Sequence, residues 1–394
     1  MKIAQIYEIV NDIYGERVEG DPILAEDLSN IVDVGRAIFD SESVDKFVAK
    51  LCDRIGRVVI SSRPYSGAVP SLLMDSWEFG CVKEKITIRL PEASENSTWD
   101  LVDGEEYSQD IYKRPDCLVR FFDRYVTFEV TLSIADKQVK SAFANATQLN
   151  SFISGIYESM STALTVRLDS LIESTINNLA AATIHSEFAD PSDTTPYNAG
   201  SGVRAVNVLY LYNQKFGTSL TRDQAITTPE FIRFANYLMN QYKNRLSKLS
   251  KLFNIEGIER FTPADRLHTI LLAEYAAAAK SYLYSDSFNR DDVTLDFANA
   301  DIVPYWQGTG SNYALSNTSR IDVEVNDGNG SKYAVDITGV IGIMFDVESA
   351  GVSCLSRNMT MHRNDRAEFQ NVWEKTRVGY FNDFSENCVV FFMA

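Results

Sequence analysis

The chain has few of the residues from which active centres and covalent frames are usually built. Its 394 residues include three histidines and five cysteines, and neither type is spaced for chemistry. His185, His268 and His362 have no His or Cys at metal-ligand spacing, so structural or surface roles are expected for them. Cys52, Cys81, Cys117, Cys354 and Cys388 are odd in number and contain no Cys-x-x-Cys pair, which excludes a zinc knuckle or a disulfide frame. Reduced, mostly buried thiols are expected instead. Gly-x-x-x-x-Gly-Lys and Gly-x-Ser-x-Gly are both missing, and Gly308-Thr309-Gly310 lacks the third glycine of a dinucleotide loop. No run of about 18 apolar residues occurs, and the N-terminus has no signal-peptide core, so a soluble, cytosolic chain with no membrane contact is expected. Positive charge is also scarce. The 37 Lys and Arg residues stand against 54 Asp and Glu, a net charge of −17, which excludes a protein that wraps nucleic acid by neutralising phosphates.

What is present is ordinary globular composition, 45% hydrophobic and 23% charged, in a chain long enough for two or three substructures. The first 45 residues hold eleven acids against three bases, with apolar residues in short helical patterns broken by Gly15, Gly20 and Pro22. Such a segment buries little surface alone and reads as an arm that must lie on something else. From Cys81 to Leu90 the pattern has period two: Val82, Ile86, Ile88 and Leu90 on one side, Lys83, Lys85, Thr87 and Arg89 on the other. A second and longer strand is expected from Leu118 through Phe122, Val126, Phe128 and Val130 to Leu132. Between the two, residues 91–110 carry seven acids and no base, which makes a long hairpin with an acidic tip that cannot sit in a core.

Residues 148–182 have no proline and one glycine, Gly155, and their apolar residues fall at spacings of three and four. That predicts a helix of about 50 Å, a spine with Leu164, Leu168 and Ile172 on its buried stripe, and Gly155 as the expected bend or start. The breakers of 190–202 then mark a boundary. Thr228-Pro229-Glu230 opens a second amphipathic helix that reads through to Phe253. Residues 204–260, with nine bases and four acids, form the one sizeable basic stretch. Asp327-Gly-Asn-Gly-Ser331 resembles the start of a calcium loop, but Lys332 stands where glycine is needed and Thr338 where the bidentate Glu belongs. The alternation of Ile321, Val323 and Val325 before it and Tyr333, Val335 and Ile337 after it predicts a β-hairpin. Short strands at Val340–Phe345, Met359–Met361 and Cys388–Met393 close the chain.

In this order, the stretches Asp27-Leu-Ser-Asn-Ile-Val-Asp-Val-Gly35, Arg54-Ile-Gly-Arg57, Ser71-Leu-Leu-Met-Asp-Ser-Trp-Glu-Phe-Gly80, Pro91-Glu-Ala-Ser-Glu-Asn-Ser-Thr-Trp99, Gln148-Leu-Asn-Ser-Phe152 and Gly379-Tyr-Phe-Asn-Asp-Phe-Ser-Glu-Asn-Cys-Val-Val-Phe-Phe392 resemble the major capsid proteins of tailed double-stranded DNA bacteriophages. The resemblance implies an α+β, HK97-like capsid fold. Its parts would be an N-terminal arm with the segment after it (1–73), an extended hairpin or E-loop (74–118), a peripheral domain with the spine helix (119–190, completed by about 341–380) and an axial domain (191–340, completed by about 381–394). It further implies hexamers and pentamers closing an icosahedral shell around double-stranded DNA without sequence-specific binding, in a virion assembled in the host cytoplasm. Arm-like sequence starts at residue 1, so the scaffolding protein is expected to be separate, as are the portal and any decoration protein. No enzyme activity, cofactor or metal is implied. The alternatives are an encapsulin-like cellular shell enclosing a cargo protein and, further off, a soluble hydrolase with no recognisable motif.

The expected contacts between subunits follow from charge. The acids of the hairpin tip, Glu92, Glu95, Asp100, Asp103, Glu105 and Glu106, should lie against a basic strip of a neighbour. Candidates for that strip are Arg233, Lys243, Arg245, Lys248 and Lys251 along the second helix, or the pair Arg54 and Arg57.

Overall fold

The computed structural model describes residues 72–74, 83–91, 93, 99, 101–107, 112, 114–135, 137, 146–188, 200–285, 300–306, 320–326 and 332–394. The arm, Arg54 and Arg57, the tip acids Glu92, Glu95 and Asp100, and the loop 327–331 lie outside these residues. The dominant element is helix α1 (Ala146–Phe188), 43 residues and about 65 Å long. It is longer at both ends than the sequence pattern predicts, and it passes through Gly155 without interruption, so that glycine is neither a start nor a break. Met160, Leu164, Leu168, Ile172, Ile176 and Ala180 are buried at four-residue intervals, the spacing that stacks side chains along one helix face.

The remaining elements, in chain order, are β1 (Leu73–Met74), β2 (Lys83–Ile88), β3 (Cys117–Phe122), β4 (Tyr125–Ala135), β5 (Ala205–Asn207), α2 (Val208–Phe216), α3 (Arg222–Ala225), α4 (Pro229–Leu246), β6 (Leu267–Leu272), α5 (Ala273–Ser285), β7 (Ala300–Val303), β8 (Arg320–Asn326), β9 (Lys332–Thr338), β10 (Val340–Asp346), β11 (Ala350–Asn364), β12 (Phe369–Asn382) and β13 (Cys388–Phe392). They form a four-stranded sheet in the order β1-β11-β12-β4, a five-stranded sheet in the order β5-β13-β10-β6-β7, and two separate hairpins, β2-β3 and β8-β9. Helix α1 packs on strands of both larger sheets and on the β8-β9 hairpin, so one core runs beneath it. β10 and β13 are buried at every position, which explains why they read as continuous apolar runs rather than alternating ones. Between β9 and β10 the chain turns at Gly339, whose φ is +86°. A Cβ there would collide with the Met393 carbonyl oxygen, so only glycine fits.

Two expectations need correction. The single long strand expected after the hairpin is two strands, β3 and β4, which belong to different sheets and are separated at Asp123 and Arg124. The second amphipathic helix, α4, starts where Thr228-Pro229 predicts but ends at Leu246 instead of running to Phe253. The chain is turned there because the Thr262 amide donates to the Leu246 carbonyl at 2.8 Å and Ser250 pairs with Arg260. Lys248 and Lys251 therefore sit on the loop after the helix.

One buried acid on α1 carries a testable cost. Glu173 is only 7% exposed, and its Oε2 has no hydrogen-bond partner among the described residues. Burial, with a smaller contribution from Asp169, pushes its carboxyl pKa up to about 8 from 4.5. A raised folded-state pKa makes the group's contribution most favourable below about pH 4.5, and that contribution is lost as pH rises through about 8. Glu173→Gln should therefore stabilise the chain by about 1–3 kcal/mol at pH 8 and by almost nothing at pH 4.5. Urea unfolding at the two pH values checks this; equal effects at both would show that the carboxyl is solvated.

Candidate subunit interface

The β2-β3 hairpin has its polarity reversed relative to an ordinary core-facing pair. In β2, Lys83, Lys85 and Thr87 turn towards the body of the chain, while Glu84, Ile86 and Ile88 face outward. In β3, Leu118, Arg120 and Phe122 turn inward, and Val119 and Phe121 face outward with Cys117. Ile86 and Ile88 are each 63% exposed and Phe121 is 64% exposed. Ile86 pairs with Val119 across the strands, which makes the outer face a contiguous apolar surface. A two-stranded hairpin is marginal by itself, and this one exposes the residues that would normally stabilise it.

Its inner face is held by charge. Lys85 lies directly opposite Arg120 in the register, and like charges in that position repel unless acids intervene. The turn before β13 supplies the acids. The Lys85 Nζ donates to Asp383 Oδ2 at 2.7 Å and to Glu386 Oε1 at 2.6 Å, and lies 3.2 Å from Glu348 Oε2. Arg120 donates to Asp383 Oδ1 at 2.8 Å and also to Glu256. Arg260 donates to Thr87 Oγ1 at 2.8 Å and lies 3.2 Å from Glu386, while Arg266 bridges Asp346 and Glu348 at 3.3 and 2.7 Å. Lys83 adds a contact 4.0 Å above the Phe381 ring.

The Asp383 side chain is 0% exposed. Burial acts to raise its pKa, but hydrogen bonds from Lys85 and Ser385 outweigh burial and hold the carboxyl below its ordinary value. At Glu386 burial wins over Lys85 and Arg260, and the pKa is raised. The base of the hairpin is thus clamped to the β10-β11 connection, the 256–266 segment and the turn before β13.

The tip is the opposite case. Asp103, Glu105 and Glu106 are all exposed, Trp99 is 82% exposed and Leu101 is 80% exposed. The chain reverses at Gly104, whose φ of +91° lies in the left-handed region, with the Glu105 amide donating to the Val102 carbonyl at 3.3 Å. On the basic strip, Arg233 and Arg245 are exposed on α4 and Lys243 is half-buried, while Lys248 and Lys251 are exposed beyond its end. Arg245 stacks 5.3 Å from the Tyr242 ring centre, and Lys251 is 3.0 Å from Glu259. Tip and strip thus both remain exposed in the single chain. Sequence reasoning missed the clamp residues Lys85, Arg120, Glu348, Asp383 and Glu386. The available signal was the cationic side of a strand whose other side is apolar. Among the described residues, no group of three or more His, Cys, Asp or Glu could hold a metal, and no helix is long and apolar enough to cross a membrane.

The family model for the Phi29-like phage major capsid protein matches residues 8–392. The major capsid protein of Bacillus phage GA-1 is 29% identical over 168 residues, which is 40% of this chain and 33% of that protein, so the alignment spans about a third of the relative's length. A chain from the capsid structure of Staphylococcus phage Andhra superposes with a TM-score of 0.50 at 10% identity, covering 82% of this chain and 83% of that one. A chain from the structure of head fiber and inner core protein gp22 of native bacteriophage P68 gives a TM-score of 0.50 at 8% identity, covering 84% and 85%. At such low identities the likeness is one of fold, and it agrees with the α+β architecture expected from the sequence. Matched over nearly its whole length, the chain belongs to the Phi29-like phage major capsid protein family.

Proposed function

We propose that this chain is the structural subunit of a phage head, assembling through hexamers and pentamers into an icosahedral shell that encloses double-stranded DNA. The observation that carries the reading is the reversed hairpin. Its cations are spent on its own chain, so the apolar face of Ile86, Ile88, Val119 and Phe121 is left for another copy to cover. Sheet pairing supports a peripheral domain made of residues 125–188 completed by β11 and β12, and an axial domain made of 200–346 completed by the turn and strand of 383–394. This moves β10 from the peripheral to the axial side of the division drawn from sequence. Residues 1–73 would be the arm, and the E-loop would run from 74 to the end of β3 at Phe122, four residues beyond the boundary of 118 drawn from sequence. A charge of −17 per subunit favours a lining that repels phosphate and lets packaged DNA slide. Scaffolding, portal and decoration proteins would be separate partners.

The purified chain should form capsomers or closed shells, visible by light scattering and electron microscopy. A monodisperse monomer at micromolar concentration would overturn the reading. Nucleic acid inside the native particle is expected; a cargo protein in its place would favour an encapsulin-like shell.

A further inference from the structure

We propose that the cleft where the β3-β4 link meets α1, β8 and the end of β12 is a binding site for a small planar heteroaromatic molecule of purine chemistry. The cleft is partly enclosed, about 380 Å³, and is formed within a single chain. That is near the lower end of the range for small-molecule sites, about 300–1,000 Å³, and such sites favour places where separate units of a fold meet. Its walls are aromatic. Phe122, Tyr380, Phe381 and Phe384 all line it, and the Phe122 and Phe381 ring centres are 5.1 Å apart. Phe381 is buried and the other three are half-buried, so ring surface is left for a flat ligand to cover. Ala182, the smallest side chain of the lining, gives the cleft depth on the α1 side.

The polar groups of the lining are few. Asn178 is half-buried on α1, four residues before Ala182, so the two share one helix face. Its carboxamide has two N–H donors and an acceptor oxygen, and its side chain makes no hydrogen bond among the described residues. Asn382, by contrast, is committed to its own chain, its Nδ2 donating to the Thr175 carbonyl at 3.2 Å. A free carboxamide beside aromatic walls matches the edge of an adenine ring, which offers a donor and an acceptor side by side. Asp123, Arg124 and Glu324 line the cleft as exposed residues. Glu324 lies 3.4 Å from Lys332, which leaves Asp123 to accept from a sugar hydroxyl and Arg124 to meet a phosphate.

Equilibrium dialysis of labelled adenosine against the full chain, freed of nucleic acid, tests the site whether or not the chain is assembled. Adenosine should bind with a dissociation constant below about 1 mM. Purine riboside, which lacks the 6-amino group, should bind about tenfold or more weakly, because a site that pairs with that group rejects the analogue without it. Asn178→Leu should weaken adenosine binding about tenfold or more, as should Ala182→Leu, which fills the cleft. Asp123→Ala on the exposed link should weaken it about threefold, and this variant decides the test if either helix variant misfolds by circular dichroism. AMP bound about threefold or more tightly than adenosine, with the gain removed by Arg124→Ala, identifies a nucleotide as the ligand; equal or weaker binding of AMP identifies the free nucleoside. No binding of adenosine at about 1 mM, equal binding of purine riboside, or adenosine binding unchanged in the folded variants overturns the proposal.

Discussion

Asp383→Asn should destabilise the chain by about 3–5 kcal/mol, the cost of removing one partner from a buried ion cluster. Among the described residues the carboxylate is the one group that Lys85 and Arg120 share, at 2.7 and 2.8 Å, and those two cations stand opposite one another in the hairpin. Without its charge they repel across the strands, and the Ser385 hydroxyl and amide, which donate to the same Oδ1 at 2.7 and 3.0 Å, do nothing to offset them. Glu256→Gln at the solvent edge of the same cluster should cost under about 1 kcal/mol, because an exposed pair is screened. Urea unfolding measures both, and faster proteolysis near the hairpin base in the Asp383 variant would show which part is released. The pH dependence follows from the lowered pKa of Asp383: its stabilisation is present above the ordinary carboxylate value of 3.8 and is lost as pH falls through the lower folded value. Equal small effects of both substitutions would mean that the hairpin is held by something other than this clamp.

Leu168→Ala in the middle of α1 should cost about 2–5 kcal/mol through the cavity it leaves. Leu168 is buried in the common core, between Leu164 and Ile172 on the same stripe. Arg167→Ala, one residue away on the exposed side, should cost under about 1 kcal/mol. Proline at position 168 would remove an internal backbone hydrogen bond and clash with the preceding turn, for about 3 kcal/mol or more. Because α1 packs on both larger sheets, the alanine variant should lower the midpoint of one cooperative transition and leave no separate folded half. A two-step melt would show that the two sheets are independently stable.

The spine, β2, the start of α4 and the β8-β9 hairpin could be read from the sequence because each keeps its period over many residues. β12 could not. Its inward side mixes Val372 and Val378 with the buried polar residues Gln370, Glu374 and Thr376, so the period-two apolar signal fails at three of the five inward positions from 370 to 378. β11 was legible only as its short central piece, since Asn358, Thr360 and His362 dilute the rest. The break between β3 and β4 carries no glycine or proline, and the alternation continues in phase across it, so nothing local marks the change of sheet. The clamp was hidden for a different reason. Lys85 meets Asp383 and Glu386 across 298 and 301 residues, and no local pattern encodes a contact at that separation.

The interleaving of the sheets bears on how the chain can be made. The four-stranded sheet waits for β11 and β12, and the five-stranded sheet waits for β10 and β13, all within the final 55 residues, 340–394. A polypeptide leaving the ribosome therefore holds β4, β5, β6 and most of α1 without their partners until synthesis is almost complete. The clamp is delayed further, because Asp383 and Glu386 arrive after both hairpin cations. Until then, among the described residues, the hairpin is held only at its contacts with the 256–266 segment, Arg120 with Glu256 and Thr87 with Arg260. Chains cut short before this segment by a nonsense codon or a stalled ribosome lack the central strands of both sheets.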